Sequence, residues 1–180
     1  ISSAVRSRKP VLIAGWGAYA SGAREAMERL ADRTGALLAN TVQAHSFFEG
    51  NTYSLGLAGG LSTDVALECL KESDCVVAVG ASLNAYTTWQ GQLFPRARLI
   101  QIDEDPQRMG QVVPIDIGVV GDGRETVLAI DNWLEQDGVK CRTGFRRKGM
   151  DQLLAESRSW LQGPYLETTG FMDPRQLVAE

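Results

Sequence analysis

A short apolar segment that runs into closely spaced glycines lies near the start of the chain. Residues 11–14 (VLIA) lead directly into residues 15–20 (GWGAYA), and a helical pattern follows from about residue 21 to residue 34. The uncharged run predicts a buried parallel strand, and the glycines predict a tight turn at its end. Strand, Gly-x-Gly-x-x-Ala and helix in that order are the local pattern of a dinucleotide-binding βαβ unit. Any sharp turn between a strand and a helix would use similar residues, so this segment alone leaves both interpretations open.

Similar short apolar runs recur along the chain, separated by helical or glycine-rich segments. They occupy residues 36–39, 53–57, 75–80, 98–103 and 117–121. Ser21 and Ser62 are the expected N-caps of two helices, and Gly35 is the expected residue just beyond the end of the first helix. A third helix is expected from Arg124 to about Gln136. Strands that alternate with helices and carry few charges predict an α/β fold, with a doubly wound parallel sheet covered by helices on both faces.

Ligands of such sheets bind beyond the carboxyl ends of the strands. The sequence places several glycines and polar residues at that edge. They are Gly15, Gly17, Gly80, Asn84, Asp103, Gly121 and Asp122. This edge is therefore where a ligand is expected.

Charge and composition exclude several classes of function. The 180 residues carry a formal net charge of −4, which gives no electrostatic argument for binding nucleic acid or an anionic membrane. No apolar run approaches the roughly 20 residues that a membrane-spanning helix needs. The three cysteines are odd in number and lack metal-site spacing, and His45 is the only histidine. These features predict a cytoplasmic protein with free thiols and no zinc site.

The character of the chain changes after residue 138. Residues 1–138 are expected to form a nucleotide-binding-like domain, and residues 139–180 a linker and helix that lead toward a further, C-terminal domain. The first residue is Ile1 rather than methionine, and the last residues continue a helical pattern. We therefore expect a piece of a longer protein.

The NAD-binding fingerprint requires an acidic residue about 20 residues past the glycines, at the end of the second strand. That position falls at Asn40 and Thr41, and the next acidic residue is Glu49. Acidic residues instead follow a later strand, at Asp103 and Asp105. A free-standing NAD-dependent oxidoreductase thus stays an alternative, but its expected ribose-binding acid is missing.

Four segments together resemble one particular module. They are residues 9–15 (KPVLIAG), 74–83 (DCVVAVGASL), 99–106 (LIQIDEDP) and 119–122 (VVGD). Their order and spacing resemble the central domain of thiamine-diphosphate-dependent enzymes of the acetolactate synthase, pyruvate oxidase and benzoylformate decarboxylase group. The resemblance covers residues 9–134, and residues 171–180 resemble the linker and first helix that lead into the next domain of those enzymes.

The resemblance implies a three-layer, Rossmann-like fold of the deoxyhypusine-synthase-like NAD/FAD-binding type, with six parallel strands in the order 3-2-1-4-5-6. In that group the domain holds FAD in acetolactate synthases and pyruvate oxidases, ADP in oxalyl-CoA decarboxylase, and nothing in several decarboxylases. By position, Gly15 and Gly17 would face the phosphates or ribose. The residues that would line the remainder of the cofactor are Gly59, Gly60, Gly80 and Asn84, with Asp103, Gly121 and Asp122 at the adenosine end.

One departure from the group bears on the choice of cofactor. FAD-binding members carry arginine and acidic residues just after the strand that corresponds to residues 75–80, whereas this chain has residues 82–85 (SLNA) there. The departure favours ADP or an empty pocket over FAD.

The resemblance also implies what the longer protein does. This chain would be the noncatalytic central domain of a thiamine-diphosphate-dependent transferase or lyase, such as a carboligase or decarboxylase. Its neighbouring domains would hold thiamine diphosphate and Mg²⁺, and the enzyme would be a homo-oligomer. The Gly121-Asp122-Gly123 sequence mimics the metal motif of those domains, but no Asn-Asn pair follows it near residues 147–148. A protein deacylase of the same superfamily is a further alternative: His45 could act in catalysis, but the cysteines do not form a zinc ribbon.

Overall fold

Six parallel strands form the centre of the molecule. The computed structural model describes residues 7–139 and 142–158. The strands are β1 (Pro10–Ala14), β2 (Leu37–Asn40), β3 (Ser54–Leu57), β4 (Cys75–Val79), β5 (Arg98–Asp103) and β6 (Ile117–Val120). They pair in the order β3-β2-β1-β4-β5-β6. Both the number of strands and the order implied by the family resemblance are confirmed.

Helices cover both faces of this sheet. They are α1 (Trp16–Ala20), α2 (Arg24–Thr34), α3 (Asp64–Glu72), α4 (Gly123–Gln136) and α5 (Met150–Arg158). Buried side chains of α1, α2 and α4 pack against one face of the sheet, and those of α3 and α5 pack against the other. Alternate residues of a strand point to opposite faces, so each strand contributes to both cores. The three-layer architecture is therefore confirmed.

The two central strands, β1 and β4, are buried along their whole length. They lie side by side with Pro10 opposite Cys75 and Ala14 opposite Val79. Chain connections leave this pair in opposite directions, toward β2 on one side and β5 on the other. The carboxyl ends of β1 and β4 therefore form the topological switch point, where open α/β sheets leave a crevice.

The local details of the first helical region differ from the expectation. The glycine-rich segment is the five-residue helix α1, and Gly22, with a φ of 65°, separates it from α2. Ser21 ends α1 instead of capping α2, and the N-cap of the next helix, α3, is Thr63 rather than Ser62. Gly35 does end α2 in the left-handed conformation, with a φ of 68°, as predicted.

Residues 142–154 return to the same body of the molecule. Phe145, Met150 and Leu154 are buried in the core that also contains strand residues. The N–H of Phe145 donates to the carbonyl of Gly35, and a Cβ on Gly35 would lie 2.3 Å from the carbonyl oxygen of Thr143. The expected boundary after residue 138 stays a prediction, and the expected tail beyond residue 158 lies outside the described residues.

No helix in the described part of the chain is long and apolar enough to cross a membrane.

Candidate functional site

A cleft of about 1030 Å³ opens at the carboxyl ends of the strands. Eight of the nine residues that the sequence indicated as a site line it. They are Gly15, Gly17, Gly60, Gly80, Asn84, Asp103, Gly121 and Asp122. The volume is at the upper end of the roughly 300–1,000 Å³ that small-molecule sites occupy. The cleft therefore has room for a ligand of nucleotide size.

The ends of β1 and β4 meet backbone to backbone at the floor of the cleft. The N–H of Gly15 donates to the carbonyl of Val79 at 2.9 Å, and the N–H of Gly17 donates to that of Gly80 at 3.0 Å. A Cβ on Gly15 would lie 2.2 Å from the carbonyl oxygen of Gly80. These glycines are thus required by close packing, and their two N–H groups are already bonded. Their contact with a cofactor stays a prediction.

Gly59 and Gly60 differ in position although they are adjacent in sequence. Gly60 lines the cleft, and a Cβ there would meet nothing within 4 Å. Gly59 does not line the cleft: it has a φ of 113°, and a Cβ would lie 2.1 Å from the carbonyl oxygen of Tyr86. Gly59 therefore allows the loop after β3 to contact the loop after β4.

Asn84 organises the loop that follows β4. Its Oδ1 accepts hydrogen bonds from the N–H groups of Tyr86 and Thr87, at 3.1 and 3.0 Å. The preceding residue, Leu83, is buried with a φ of 48°, in the left-handed region that residues other than glycine seldom adopt. The loop is thereby fixed against the core, and Asn84 holds the wall of the cleft in shape.

Carboxylates dominate the side of the cleft formed by β5 and β6. They are Asp103, Glu104, Asp105 and Asp122. Asp103 is the last residue of β5, and its Oδ1 accepts from the N–H of Asp105 at 3.1 Å. Asp122 is the N-cap of α4 and accepts from the N–H of Glu125 at 2.8 Å. Both carboxylates therefore have fixed positions at the edge of the sheet.

A model of the thiamine pyrophosphate enzyme central domain matches residues 5–130. The match covers more than half of the chain, and it spans all six strands and the cleft. This chain belongs to that family.

Curated relatives agree with this assignment. A probable acetolactate synthase large subunit of Methanocaldococcus jannaschii is 33% identical over 123 residues, which are 67% of this chain and 21% of the relative. The acetolactate synthase of Mycobacterium avium is 31% identical over 134 residues, 73% of this chain and 22% of the relative. A sulfoacetaldehyde acetyltransferase of Roseovarius nubinhibens is 31% identical over 126 residues, 67% of this chain and 21% of the relative. The chain thus spans about a fifth of the length of these relatives.

Thiamine diphosphate and Mg²⁺ need a cation site, and the donor set of this central domain does not fit one. Within residues 7–139 and 142–158, no group of three or more His, Cys, Asp or Glu side chains could hold a metal ion. Asp122, which mimics the metal motif in sequence, is engaged in capping α4. The described residues of this central domain therefore offer no donor set of that kind.

The end of β2 does not favour the NAD-dependent alternative. Asn40 occupies the position of the ribose-binding acid and is buried, with its amide donating to the carbonyl of Thr41 at 3.3 Å. The family assignment likewise does not favour a free-standing NAD-dependent oxidoreductase. His45, proposed for a deacylase, contacts the neighbouring Ser46 through Nδ1 at 2.8 Å and does not line the cleft.

Several residues that line the cleft were not predicted from the sequence. Four of them are exposed apolar side chains: Trp16, Val42, Leu61 and Tyr86. Trp16 stacks on Tyr19 with ring centroids 5.3 Å apart. An aromatic residue between the two glycines was the available signal for Trp16. Arg108, which also lines the cleft, gave no signal, because only the fold brings its turn to this edge.

Proposed function

We propose that this chain is the central domain of a thiamine-diphosphate-dependent enzyme and that its cleft binds an adenine nucleotide, ADP in preference to FAD. One observation carries the proposal. β4 ends at Val79 and is followed directly by Gly80, and the neighbouring β5 ends at Asp103, slightly farther along the chain than the roughly 20 residues that the dinucleotide fingerprint prescribes. The acid that is missing at the end of β2 is thus present at the end of β5 in the second half of the sheet.

The side chains that line the cleft suit a nucleoside. A carboxylate has about four lone-pair positions, and Asp103 uses one for the N–H of Asp105, so it retains acceptors for the hydroxyls of a ribose. Trp16 also lines the cleft, and its aromatic ring, which stacks on Tyr19, is a surface on which a base can stack.

The loop after β4 supports ADP over FAD. Ser82 and Asn84 line the cleft there, while Leu83 is buried in the core. This loop therefore presents neither the arginine nor the acid with which FAD-binding members of the group continue from the same strand.

The names of the relatives support a proposal for the activity of the longer enzyme. The three described above are a probable acetolactate synthase large subunit, an acetolactate synthase and a sulfoacetaldehyde acetyltransferase, so we propose that the parent protein is a thiamine-diphosphate-dependent transferase or lyase. Thiamine diphosphate supplies an electron sink for bond cleavage and formation next to a carbonyl. Flanking domains would hold it with Mg²⁺, and this domain would give scaffold and subunit contacts in a homo-oligomer. The free thiols of Cys69 and Cys75 suit a cytoplasmic enzyme.

A thermal-shift series tests the nucleotide site. The chain is heated with ADP, FAD, NAD or thiamine diphosphate, each at the same concentration. A ligand at about 100 times its dissociation constant adds about 2.7 kcal/mol to the free energy of unfolding, so the binder raises the melting temperature. We expect ADP to give the largest rise and thiamine diphosphate to give none.

Three results would contradict the proposal. Stabilisation by NAD alone would favour the oxidoreductase, and stabilisation by none of the four would indicate an empty pocket. A yellow purified protein that absorbs near about 450 nm would show that FAD, rather than ADP, is the natural occupant.

A further inference from the structure

The acidic side of the cleft contains one arginine. Among the described residues that line the cleft, Arg108 is the only one with a cationic side chain, and four carboxylates share the cleft with it. A nucleotide brings negative phosphates into this setting. Phosphates need compensating charge, and an arginine supplies it with a fork of N–H donors that matches two phosphate oxygens.

A buried glutamine fixes the turn that carries this arginine. Gln101 of β5 is 1% exposed. Its Nε2 donates to the carbonyls of Ala81, at 3.1 Å, and of Arg108, at 3.2 Å. Its Oε1 accepts from the N–H of Gly110 at 2.9 Å. Since every polar atom of this side chain has a partner, the Arg108 backbone is held against the residues that follow β4.

The ion pair that Arg108 makes with Asp105 is weak. Its Nε lies 3.7 Å from Oδ2 of Asp105, and the two side chains are 59% and 49% exposed. Ion pairs this exposed contribute at most about 1 kcal/mol to stability. A phosphate that engages two guanidinium N–H groups makes stronger, charge-assisted hydrogen bonds.

We propose that Arg108 binds the phosphate of the nucleotide in this cleft and that Asp105 competes with the phosphate for the guanidinium. The inference rests on the proposed adenine-nucleotide site. Under this proposal, other residues bind the base and the ribose, and Arg108 binds the phosphate. Adenosine and ADP therefore respond differently to changes at Arg108.

Calorimetric titration of the chain with adenosine and with ADP, at low ionic strength, tests this assignment. Arg108→Gln weakens ADP binding about tenfold, the value of one charge-assisted hydrogen bond, and leaves adenosine binding unchanged. Asp105→Asn keeps an acceptor for the N–H of Gln107, which Asp105 now caps at 2.9 Å, but removes the competing charge. This variant strengthens ADP binding about threefold.

A second ion pair at the same edge of the sheet provides matched controls. Arg124 and Glu125, at the start of α4, lie 3.0 Å apart with side chains 53% and 68% exposed, and neither lines the cleft. Arg124→Gln and Glu125→Gln make the same changes in net charge and leave both affinities unchanged.

The other outcomes contradict either the assignment to Arg108 alone or the nucleotide site as well. If Arg108→Gln and Arg124→Gln weaken ADP binding equally, the effect is net charge and the assignment to Arg108 fails, while the nucleotide site stands. The assignment also fails if the ratio of ADP to adenosine affinity stays the same in Arg108→Gln. If the wild-type chain binds neither ligand, the nucleotide site and the Arg108 assignment both fail.

Discussion

The N–H of Gly17 donates a hydrogen bond to the carbonyl of Gly80 at 3.0 Å, although the two residues follow different strands. A Cβ on Gly80 would lie 2.4 Å from the Cα of Gly17, and a Cβ on Gly17 would lie 2.7 Å from the Cα of Gly80. Neither residue tolerates a side chain because the atoms opposite are backbone. This contact closes the switch point between β1 and β4 and shapes the floor of the cleft.

Gly80→Ala is expected to lower the free energy of unfolding by about 3 kcal/mol, since it adds overpacking to backbone strain at a φ of 55°. Gly22→Ala is the matched control. Gly22 has a φ of 65°, but a Cβ there meets nothing within 4 Å, so only the strain of about 1 kcal/mol applies. Urea denaturation of both variants measures the difference. Equal losses would show that the Gly17–Gly80 contact adds nothing.

The central strands could be predicted from sequence because their signal is local. An uncharged run such as β4 is buried on both faces wherever it occurs, and β5 has the predicted bounds, Arg98–Asp103. The contact between Gly17 and Gly80 joins residues far apart in sequence, and no local pattern reports such a contact. The glycines around Gly17 therefore suggested a phosphate-binding loop rather than a packing contact. Caps were misplaced by one or two residues for a similar reason: Ser21, Ser62 and Thr63 all suit an N-cap, and tertiary packing selects among candidates.

Asp131 of α4 joins α2 through two arginines. It is 1% exposed and accepts from Arg29 at 2.9 Å and from Arg33. Burial alone would raise the pKa of this carboxyl, but the hydrogen bonds from Arg33 and Arg29 outweigh burial and lower the pKa below its ordinary value. Asp131→Asn is expected to cost about 3 kcal/mol at pH 7, because it removes the buried carboxylate that the guanidinium groups of Arg29 and Arg33 share.

The pH dependence of that loss has a definite sign. A lowered pKa in the folded state means that the stabilisation by Asp131 is complete above the ordinary pKa of about 3.9 and is lost as the pH falls through the folded value. The difference between wild type and Asp131→Asn therefore shrinks in acid. Glu135→Gln is the control: Glu135 lies 3.7 Å from Arg33 but is 67% exposed, so its loss costs less than about 1 kcal/mol. A difference for Asp131→Asn that stays constant from pH 7 to pH 3 would contradict this interpretation.

Cys69 and Cys75 are expected to resist alkylation in the native state. Burial, with a smaller contribution from Glu72, raises the pKa of Cys69 to about 11. Burial, with a smaller contribution from Asp74, raises the pKa of Cys75 to about 11 as well. Iodoacetamide reacts with thiolates, so a Cys141→Ser chain should incorporate two equivalents at pH 8 only when denatured. Rapid labelling of the folded chain would contradict the burial of these thiols.

Asp122 is expected to stabilise the protein by capping α4 rather than to bind a metal ion. Asp122→Ala removes the N-cap and costs about 1 kcal/mol, whereas Asp122→Asn keeps the acceptor and costs much less. The melting temperature of the wild-type chain should not change with Mg²⁺ and thiamine diphosphate. A rise with these ligands that Asp122→Asn abolishes would show that the Gly-Asp-Gly sequence binds the metal after all.

The sequence predicted where the candidate site lies more completely than which side chains contribute to its chemistry. Seven of the eight lining residues were identified because strand ends are local features and parallel strands end at one edge, and the eighth, Gly60, came from the family resemblance. The contributions of Trp16, Gln101 and Arg108 depend on how loops from different strands meet, and no short-range pattern reports that. Gly59 is adjacent to a lining residue but packs against Tyr86, a distinction that only the fold makes.

The affinity of the chain for ADP, with and without the carboxylate of Asp103, decides whether the cleft is an adenine-nucleotide site. We expect the wild-type chain to bind ADP in calorimetric titration, and we expect Asp103→Asn to weaken binding of ADP and adenosine equally, by about tenfold. Asp116→Asn, a change outside the cleft, is expected to leave the affinity unchanged. Unchanged ADP affinity in Asp103→Asn, or no ADP binding by the wild-type chain, would contradict the account.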